Sequence, residues 1–133
     1  MTAQSTVDTR QVRRNFARAA AGYDAVAVLQ RETASRMLER LDYVKIDPER
    51  VLDLGCGTGF SLAALAERYP KAQILGADFS EAMLRVGRGE RSRLRWTLPF
   101  LRSRKSALIT ADAVALPFAA SSQGMLWSNL ILH

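Results

Sequence analysis

Cysteine and histidine are almost absent from this sequence. Its 133 residues contain one cysteine, Cys56, and one histidine, His133. A single cysteine cannot form an internal disulfide bond, and the two residues together cannot supply the ligands of a multi-cysteine or histidine-based metal site. We therefore expect no disulfide framework, no metal site and no histidine-based catalytic pair.

Long apolar runs are missing as well. No run approaches the roughly 18 apolar residues that span a bilayer, and the polar residues 1–14 lack the apolar core of a signal peptide. Hydrophobic residues still make up 48% of the sequence and charged residues 24%, which is ordinary globular usage. We expect one soluble, cytoplasmic domain that does not associate with membranes.

Acidic residues are nearly absent between residues 85 and 106, a range called the basic segment below. It holds eight of the nineteen Lys and Arg residues and one acid, Glu90, so it accounts for the whole net charge of +6. Two interpretations stay open: a solvated connection between two elements, or a docking surface for an acidic partner. No nucleic-acid-binding motif accompanies the charge, so nucleic acid is not the predicted partner.

Apolar residues recur at helical spacing in the first third of the chain. Residues 12–23 predict one helix, with Gly22 as its stop signal, and residues 26–41 predict a second. With the loop that follows, they form a predicted N-terminal helical extension of residues 1–48. The remaining residues, 49–133, are predicted to form the core of the domain.

Short apolar runs then alternate with helical patterns. Residues 51–54, 74–77, 107–110 and 124–128 predict four strands. A helix is predicted after the first strand, and another, which Ser80 can cap, after the second. Such alternation favours an α/β fold, a doubly wound parallel sheet covered on both faces.

A glycine-rich loop, residues 53–59 with the sequence DLGCGTG, joins the first predicted strand to a helix. Glycines allow a tight turn and let a ligand approach the backbone, and free N–H groups at a helix start add a partly positive surface. Asp78 ends the next strand, where a carboxylate can accept hydrogen bonds from two ribose hydroxyls. Together these features predict a nucleotide-like ligand.

The spacing of the glycines separates the candidate ligands. The dinucleotide fingerprint is G-x-G-x-x-G, whereas this loop reads G-x-G-x-G and has Phe60 where the third glycine should be. The Gly-Lys-Ser/Thr ending of a P-loop is absent as well. Two residues keep a structural alternative: Asp53 could simply orient the loop, and Asp112 could be a turn residue.

Residues 51–59 resemble the first motif of class I methyltransferases that use S-adenosylmethionine, which implies a Rossmann-like fold of that type. The resemblance implies this cofactor and a set of cofactor-binding residues, with no catalytic residue assigned. Those residues are Asp53, Gly55 and Gly57 beside the methionine and ribose, Asp78 and Phe79 at the ribose, Asp112 and Ala113 at the adenine, Asn129 near the reacting centre, and Tyr23 in a lid.

Several short stretches are similar to the malonyl-acyl-carrier-protein O-methyltransferases of biotin synthesis. They are Phe16 to Ala20, Tyr23-Asp24, Leu29-Gln30, Leu116-Pro117-Phe118 and Ser128-Asn129-Leu130. This resemblance implies that the acceptor is the free carboxylate of a malonyl group on an acidic acyl carrier protein. Related quinone methyltransferases share the Phe, Ala and Tyr-Asp pattern, so they remain an alternative, as does a methyltransferase-like module that binds without turnover.

The resemblance also implies a sheet of seven strands, whereas the sequence predicts about four. The basic segment looks longer than the corresponding part of the family. We therefore expect these residues to be an incomplete part of a longer enzyme, with no catalysis expected from this part alone.

Overall fold

The computed structural model describes residues 9–12, 14, 23–97 and 106–129, with the backbone alone for 23–27 and 91–97. Four strands alternate with three α-helices in the described part of the chain, as the alternation of apolar runs predicts. They are α1 (Tyr23–Arg40), a 3-10 turn (Leu41–Tyr43), β1 (Arg50–Leu54), α2 (Leu62–Arg68), β2 (Gln73–Asp78), α3 (Glu81–Thr97), β3 (Ser106–Thr110) and β4 (Met125–Ser128). None of the helices in this part of the chain is both long and apolar enough to cross a membrane.

The four strands form one parallel sheet in the order β3-β2-β1-β4. The chain enters at β1, moves outward through β2 to β3, and then returns to the other side of β1 as β4. The order therefore reverses between β1 and β4. In sheets of this kind, ligands bind outside the carboxyl ends of the strands at such a switch point.

Alternation along the strands separates the core into two apolar clusters. Val51, Ile74 and Trp127 belong to one cluster, which also contains α2 side chains. Leu52 and Ala77 belong to the other, which residues of the 111–118 segment cover. Successive side chains of a strand point to opposite faces, so β1, β2 and β3 each supply both clusters, whereas the described residues of β4 supply only the first and Leu126 is exposed. The parallel sheet with its helices confirms the α/β fold class.

Helix α1 packs on the first cluster through its second half only. Ala34 is buried, and Met37 and Leu38 contact the cluster. The helical spacing of apolar residues predicted that Leu29 would lie on the same apolar face as these residues, but its side chain is 67% exposed. The pattern was wrong at Leu29 because the first half of α1 extends beyond the body of the cluster. Apart from residues 9–12 and 14, which are helical, the predicted first helix lies outside the described residues.

Helix α3 is longer than its sequence pattern indicated. Its start follows the expectation, because the Met83 N–H donates to the Ser80 hydroxyl at 3.4 Å. The helix then continues to Thr97, so the first half of the basic segment is helical rather than a connection. Arg88 donates to the Leu108 carbonyl at 3.1 Å, which ties this helix to β3. The second half, residues 98–105, lies outside the described residues.

Candidate functional site

The glycine loop after β1 turns back onto the end of β2. Its three glycines, Gly55, Gly57 and Gly59, have φ angles of 74°, 57° and 83°, a region that residues with a side chain rarely adopt. The N–H groups of Gly55 and Cys56 both donate to the Ala77 carbonyl, at 2.7 and 3.1 Å. These contacts hold the loop against the neighbouring strand.

Asp78 closes the loop from the β2 side. Its Oδ2 accepts the Gly57 N–H and its Oδ1 accepts the Ser80 N–H, both at 2.8 Å. A carboxylate has about four lone-pair positions, so two remain for other donors. The predicted approach of the loop and the acidic tip of β2 is present, with direct contact between them.

Several N–H groups of the glycine loop donate to acceptors within the chain. Besides the three donors already described, the Gly59 N–H donates to the Cys56 carbonyl at 2.9 Å. Four N–H groups of the loop therefore already have acceptors, three of them at the end of β2. Donors that are occupied in this way offer little to a phosphate group, which needs free ones.

Helix α3 packs backbone to backbone against the same loop. A Cβ atom added at Gly87 would lie 2.2 Å from the Thr58 carbonyl oxygen and 2.8 Å from its carbonyl carbon. Real Cβ atoms do not approach that closely, so only glycine fits at this position. The close approach makes α3 a second support for the loop.

Asp53 is a buried acid at the end of β1. Its nearest partners across the sheet are Gly76 and Trp127, and it is 3% exposed. Burial, and secondarily the negative charge of Asp78, raise the pKa of Asp53 from its ordinary value of 3.8 to about 7. Both causes disfavour the ionised form of the Asp53 carboxylate.

A small cleft of about 40 Å³, open to solvent, lies outside the carboxyl ends of β1 and β4. This is the switch point of the sheet. Residues from the glycine loop, from α1 and from the end of β4 line it. They are Gln30, Arg31, Asp53, Gly55, Cys56, Thr58, Phe60, Ser61 and Asn129.

Helix α1 reaches the cleft through two contacts. The Arg31 guanidinium carbon lies 5.3 Å from the centroid of the Phe60 ring, within the range of a cation–π interaction. The Asn129 Nδ2 group donates to the Gln30 carbonyl at 2.8 Å. The Asn129 Oδ1 atom is buried and has no hydrogen-bond partner in the described part of the chain, so it can accept from a ligand.

The residues predicted for the site fall into three places. Asp53, Gly55 and Asn129 line the cleft, and Gly57 and Asp78 brace its loop. The half-buried Phe79 directly follows Asp78.

The third place is the turn after β3, which carries Asp112 and Ala113. There Asp112 accepts the Val114 N–H at 3.0 Å, so it does serve as a turn residue. The Ala111 N–H donates to the Asp78 carbonyl at 2.9 Å, which keeps this turn beside β2. The side chain of Tyr23 lies outside the described ones.

Sequence reasoning missed three charged or polar groups of the cleft: Arg31, Thr58 and Ser61. Gln30 is part of the Leu29-Gln30 pair that resembles the malonyl-acyl-carrier-protein O-methyltransferases, but the sequence assigned it no role. Arg31 directly follows Gln30 but carries no periodic or compositional signal of its own. Its place in the cleft depends on how α1 crosses the glycine loop, which is a tertiary contact.

A family model described as a methyltransferase domain matches residues 51–133. This range begins at β1 and covers the glycine loop, Asp78 and the turn after β3.

Curated relatives carry the name malonyl-[acyl-carrier protein] O-methyltransferase. A protein of Gallionella capsiferriformans is 47% identical over 127 residues, which cover 96% of this chain and 43% of that protein. A protein of Laribacter hongkongensis is 45% identical over 133 residues, covering 100% of this chain and 44% of its own length. The chain thus spans less than half the length of these relatives.

Solved structures share the fold. A chain from the complex between the Haloferax volcanii Trm112 methyltransferase activator and a methyltransferase is 27% identical, with a TM-score of 0.64 over 85% of this chain and 46% of that chain. A SAM-dependent methyltransferase from Aquifex aeolicus is 19% identical, with a TM-score of 0.55 over 71% of this chain and 46% of its own. The second likeness concerns the fold alone.

Proposed function

The chain belongs to the methyltransferase domain family, and from that premise we propose that it binds S-adenosylmethionine and serves the methylation of a malonyl carboxylate on acyl carrier protein. In this proposal residues 49–133 are the cofactor-binding core, and residues 1–48 are a helical extension that covers the cofactor, with Tyr23 in the lid.

One observation carries the cofactor assignment: the cleft presents a buried acid, and four N–H groups of its loop already have acceptors within the chain. A dinucleotide brings a diphosphate, which needs free N–H groups and avoids a carboxylate. S-adenosylmethionine instead brings two cationic groups, a sulfonium and an ammonium, which an ionised Asp53 would stabilise. The chemistry of this donor and acceptor set therefore fits S-adenosylmethionine and disfavours a nicotinamide cofactor.

The proposed contacts follow the order of the strands. Asp53, Gly55 and the orphaned Asn129 oxygen serve the methionine end at β1 and β4. The remaining assignments follow β2 and β3 outward from the switch point. Gly57 supports the loop beside the ribose, Asp78 accepts from the ribose hydroxyls with Phe79 beside it, and Asp112 and Ala113 contact the adenine.

The acceptor is proposed from the names of the relatives and from the chemistry of the group. A malonyl carboxylate is ionised at neutral pH because carboxyl groups titrate near pH ~4. It can attack without a general base. A ring carbon of a quinone precursor would need a base or an ionised phenol.

When bound, S-adenosylmethionine supplies an electrophilic methyl group attached to a positively charged sulfur. The part that this chain plays is to bind, orient and exclude water. The buried end of β1 removes water around Asp53, and the bonds from Gly57 and Ser80 to Asp78 fix the loop before a ligand arrives. Such preorganisation of two reactants can supply ~7–11 kcal/mol of the barrier reduction.

Calorimetric titration tests the cofactor. We expect the chain to bind S-adenosylhomocysteine and to show no heat with NAD at the same concentration. The alternative outcome, tighter binding of NAD, would contradict the reading of the glycine loop and of Asp53.

Methyl transfer tests the acceptor. With radiolabelled S-adenosylmethionine and a version of the chain extended to the full length of its relatives, we expect label on malonyl-acyl carrier protein and none on acetyl-acyl carrier protein, which lacks the free carboxylate. The product should release its label in mild base because it is an ester. Cofactor binding with no transfer would favour a binding module, and transfer to a quinone-ring acceptor would favour the related quinone enzymes.

The basic segment is proposed to attract the acidic carrier. Reversing the charge of three of its arginines, Arg93, Arg95 and Arg102, to glutamate should lower the association rate severalfold and flatten its dependence on salt. Stopped-flow association with acyl carrier protein measures both. If rate and salt dependence are unchanged, the segment is a solvated face and the carrier docks elsewhere.

A further inference from the structure

We propose that Arg31 of α1 binds the carboxylate at the methionine end of the cofactor, so that this end is held between Asp53 on β1 and Arg31 on the covering helix. The inference rests on the proposed function and extends it to a residue that no sequence motif marked.

The first step is the direction in which the cofactor would lie. The strand order is β3-β2-β1-β4, and the proposed adenine and ribose contacts follow β3 and β2. The methionine end must then lie on the far side, at the ends of β1 and β4. Arg31 is on this side, because it lies over Phe60 of the loop that follows β1, and because its neighbour Gln30 accepts from Asn129 at the end of β4.

The second step is the match of charges. The methionine end is a zwitterion, with an ammonium and a carboxylate on the same carbon atom. The cleft has one buried acid, Asp53, and one arginine, Arg31, among its described lining residues. An ammonium suits Asp53, because a buried carboxylate gains from a cationic partner. A carboxylate suits a guanidinium, whose planar fork binds both carboxylate oxygens.

The third step is how Arg31 is held. The Phe60 ring contacts the guanidinium through its π system, with 5.3 Å between the guanidinium carbon and the ring centroid. This contact keeps the charge at the rim of the cleft. A guanidinium has five N–H donors, so it can bind a carboxylate in addition to its contacts within the chain. Phe60, which breaks the dinucleotide fingerprint, thereby acquires a positioning role.

Two ligands that differ only at the amino-acid end test the proposal. S-adenosylhomocysteine carries the zwitterion, and 5′-methylthioadenosine lacks it. We expect Arg31→Ala to weaken binding of S-adenosylhomocysteine by roughly ten- to a hundredfold, the range for a charge-assisted hydrogen bond, and to leave binding of 5′-methylthioadenosine unchanged. Arg31→Lys, which keeps the charge without the fork, should recover part of the loss.

Arg36→Ala is the matched control. Arg36 lies on the same helix, is exposed, and pairs only with the exposed Glu32, at 2.8 Å in the described residues, so its loss should change neither affinity. Equal weakening of both ligands by Arg31→Ala would mean that Arg31 merely holds the helix in place, and would overturn the proposal.

The acceptor is the other source of a carboxylate. If Arg31→Ala leaves both affinities intact but raises KM for malonyl-acyl carrier protein, Arg31 binds the acceptor and the proposal is wrong. If the unmodified chain binds neither adenosyl ligand, the proposed function itself fails, and this inference fails with it. A wild type that binds S-adenosylhomocysteine keeps the two questions separate.

Discussion

Replacing Gly87 with alanine should lower the free energy of unfolding by about 3 kcal/mol, at the upper end of the cost of overpacking. The new methyl group would lie 2.2 Å from the Thr58 carbonyl oxygen. Both sides of this contact are backbone, so neither can move aside by rotating a side chain. Helix α3 and the glycine loop must separate, and urea denaturation followed by circular dichroism measures the cost.

Gly89 provides the matched control, because it lies two residues further along the same helix. Among the described residues, a Cβ atom there would meet no atom within 4 Å outside its own stretch of helix. Alanine is a better helix former than glycine, so Gly89→Ala should raise the free energy of unfolding by roughly 0.5–1 kcal/mol. Equal stability of the two variants would show that the close approach of α3 to the loop is wrong.

The Gly87→Ala substitution should also affect ligand binding. Asp78 holds Gly57 from one side of the loop, and α3 supports Thr58 from another. Moving the helix away from Thr58 would shift a residue that lines the cleft. We therefore expect Gly87→Ala to weaken S-adenosylhomocysteine binding at a urea-free condition where the variant is still folded, and Gly89→Ala to leave it unchanged.

Replacing Asp53 with asparagine should stabilise the ligand-free protein above pH 7 and weaken its binding of cofactor. The folded state raises the pKa of Asp53 from 3.8 to about 7. Between these two values the folded chain binds more protons than the unfolded chain, so stability falls as pH rises through this window. The full cost of the buried charge is present above pH 7, on the order of 4 kcal/mol.

Urea denaturation of wild type and Asp53→Asn at pH 5 and pH 8 measures this effect. Asparagine resembles the protonated acid but has no proton to lose, so the stability difference in favour of the variant should be smaller at pH 5 than at pH 8. Asp47→Asn is the control, because Asp47 is exposed near the amino ends of the strands, opposite the cleft. This substitution should change the free energy of unfolding by no more than about 0.5 kcal/mol at either pH. A wild type whose stability advantage grows with pH would reverse the sign and contradict the prediction.

Cofactor affinity should change in the opposite direction. A cationic ligand needs the ionised carboxylate, so wild-type affinity should rise as pH increases through about 7. The Asp53→Asn variant should bind roughly ten- to a hundredfold more weakly at pH 8 and lose this pH dependence. Calorimetric titration of S-adenosylhomocysteine from pH 6 to pH 8 measures this difference in affinity. If the affinities of both proteins depend on pH in the same way, Asp53 does not contact the cationic group of the ligand.

Much of the fold follows from local pattern. The four short apolar runs became four strands because the sheet buries apolar side chains in two clusters, most completely at the central strands β1 and β2. The glycine loop could be assigned because its conformation demands glycine at three positions. Asp78 could be placed beside that loop, since the carboxyl ends of neighbouring parallel strands meet at one edge.

Local pattern was less informative where a residue's role depends on a distant segment. The sequence contains two glycines in α3, Gly87 and Gly89, and nothing nearby distinguishes them, although one touches the loop and the other touches nothing. The basic segment likewise carried no sign that its first half continues α3, because charged residues suit an exposed helix and an exposed loop equally well.

The sequence by itself determined the strands and their order along the chain, the turn after β1, and the acid at the end of the next strand. These features depend on periodicity and on backbone conformations that few residues tolerate. Only the tertiary structure decided which face of α1 meets the cleft, that Arg31 lies over Phe60, and that Asp53 is buried deeply enough to hold its proton to about pH 7. The physical reason is that charge and desolvation depend on every segment packed around a group, whereas periodicity is a property of one segment.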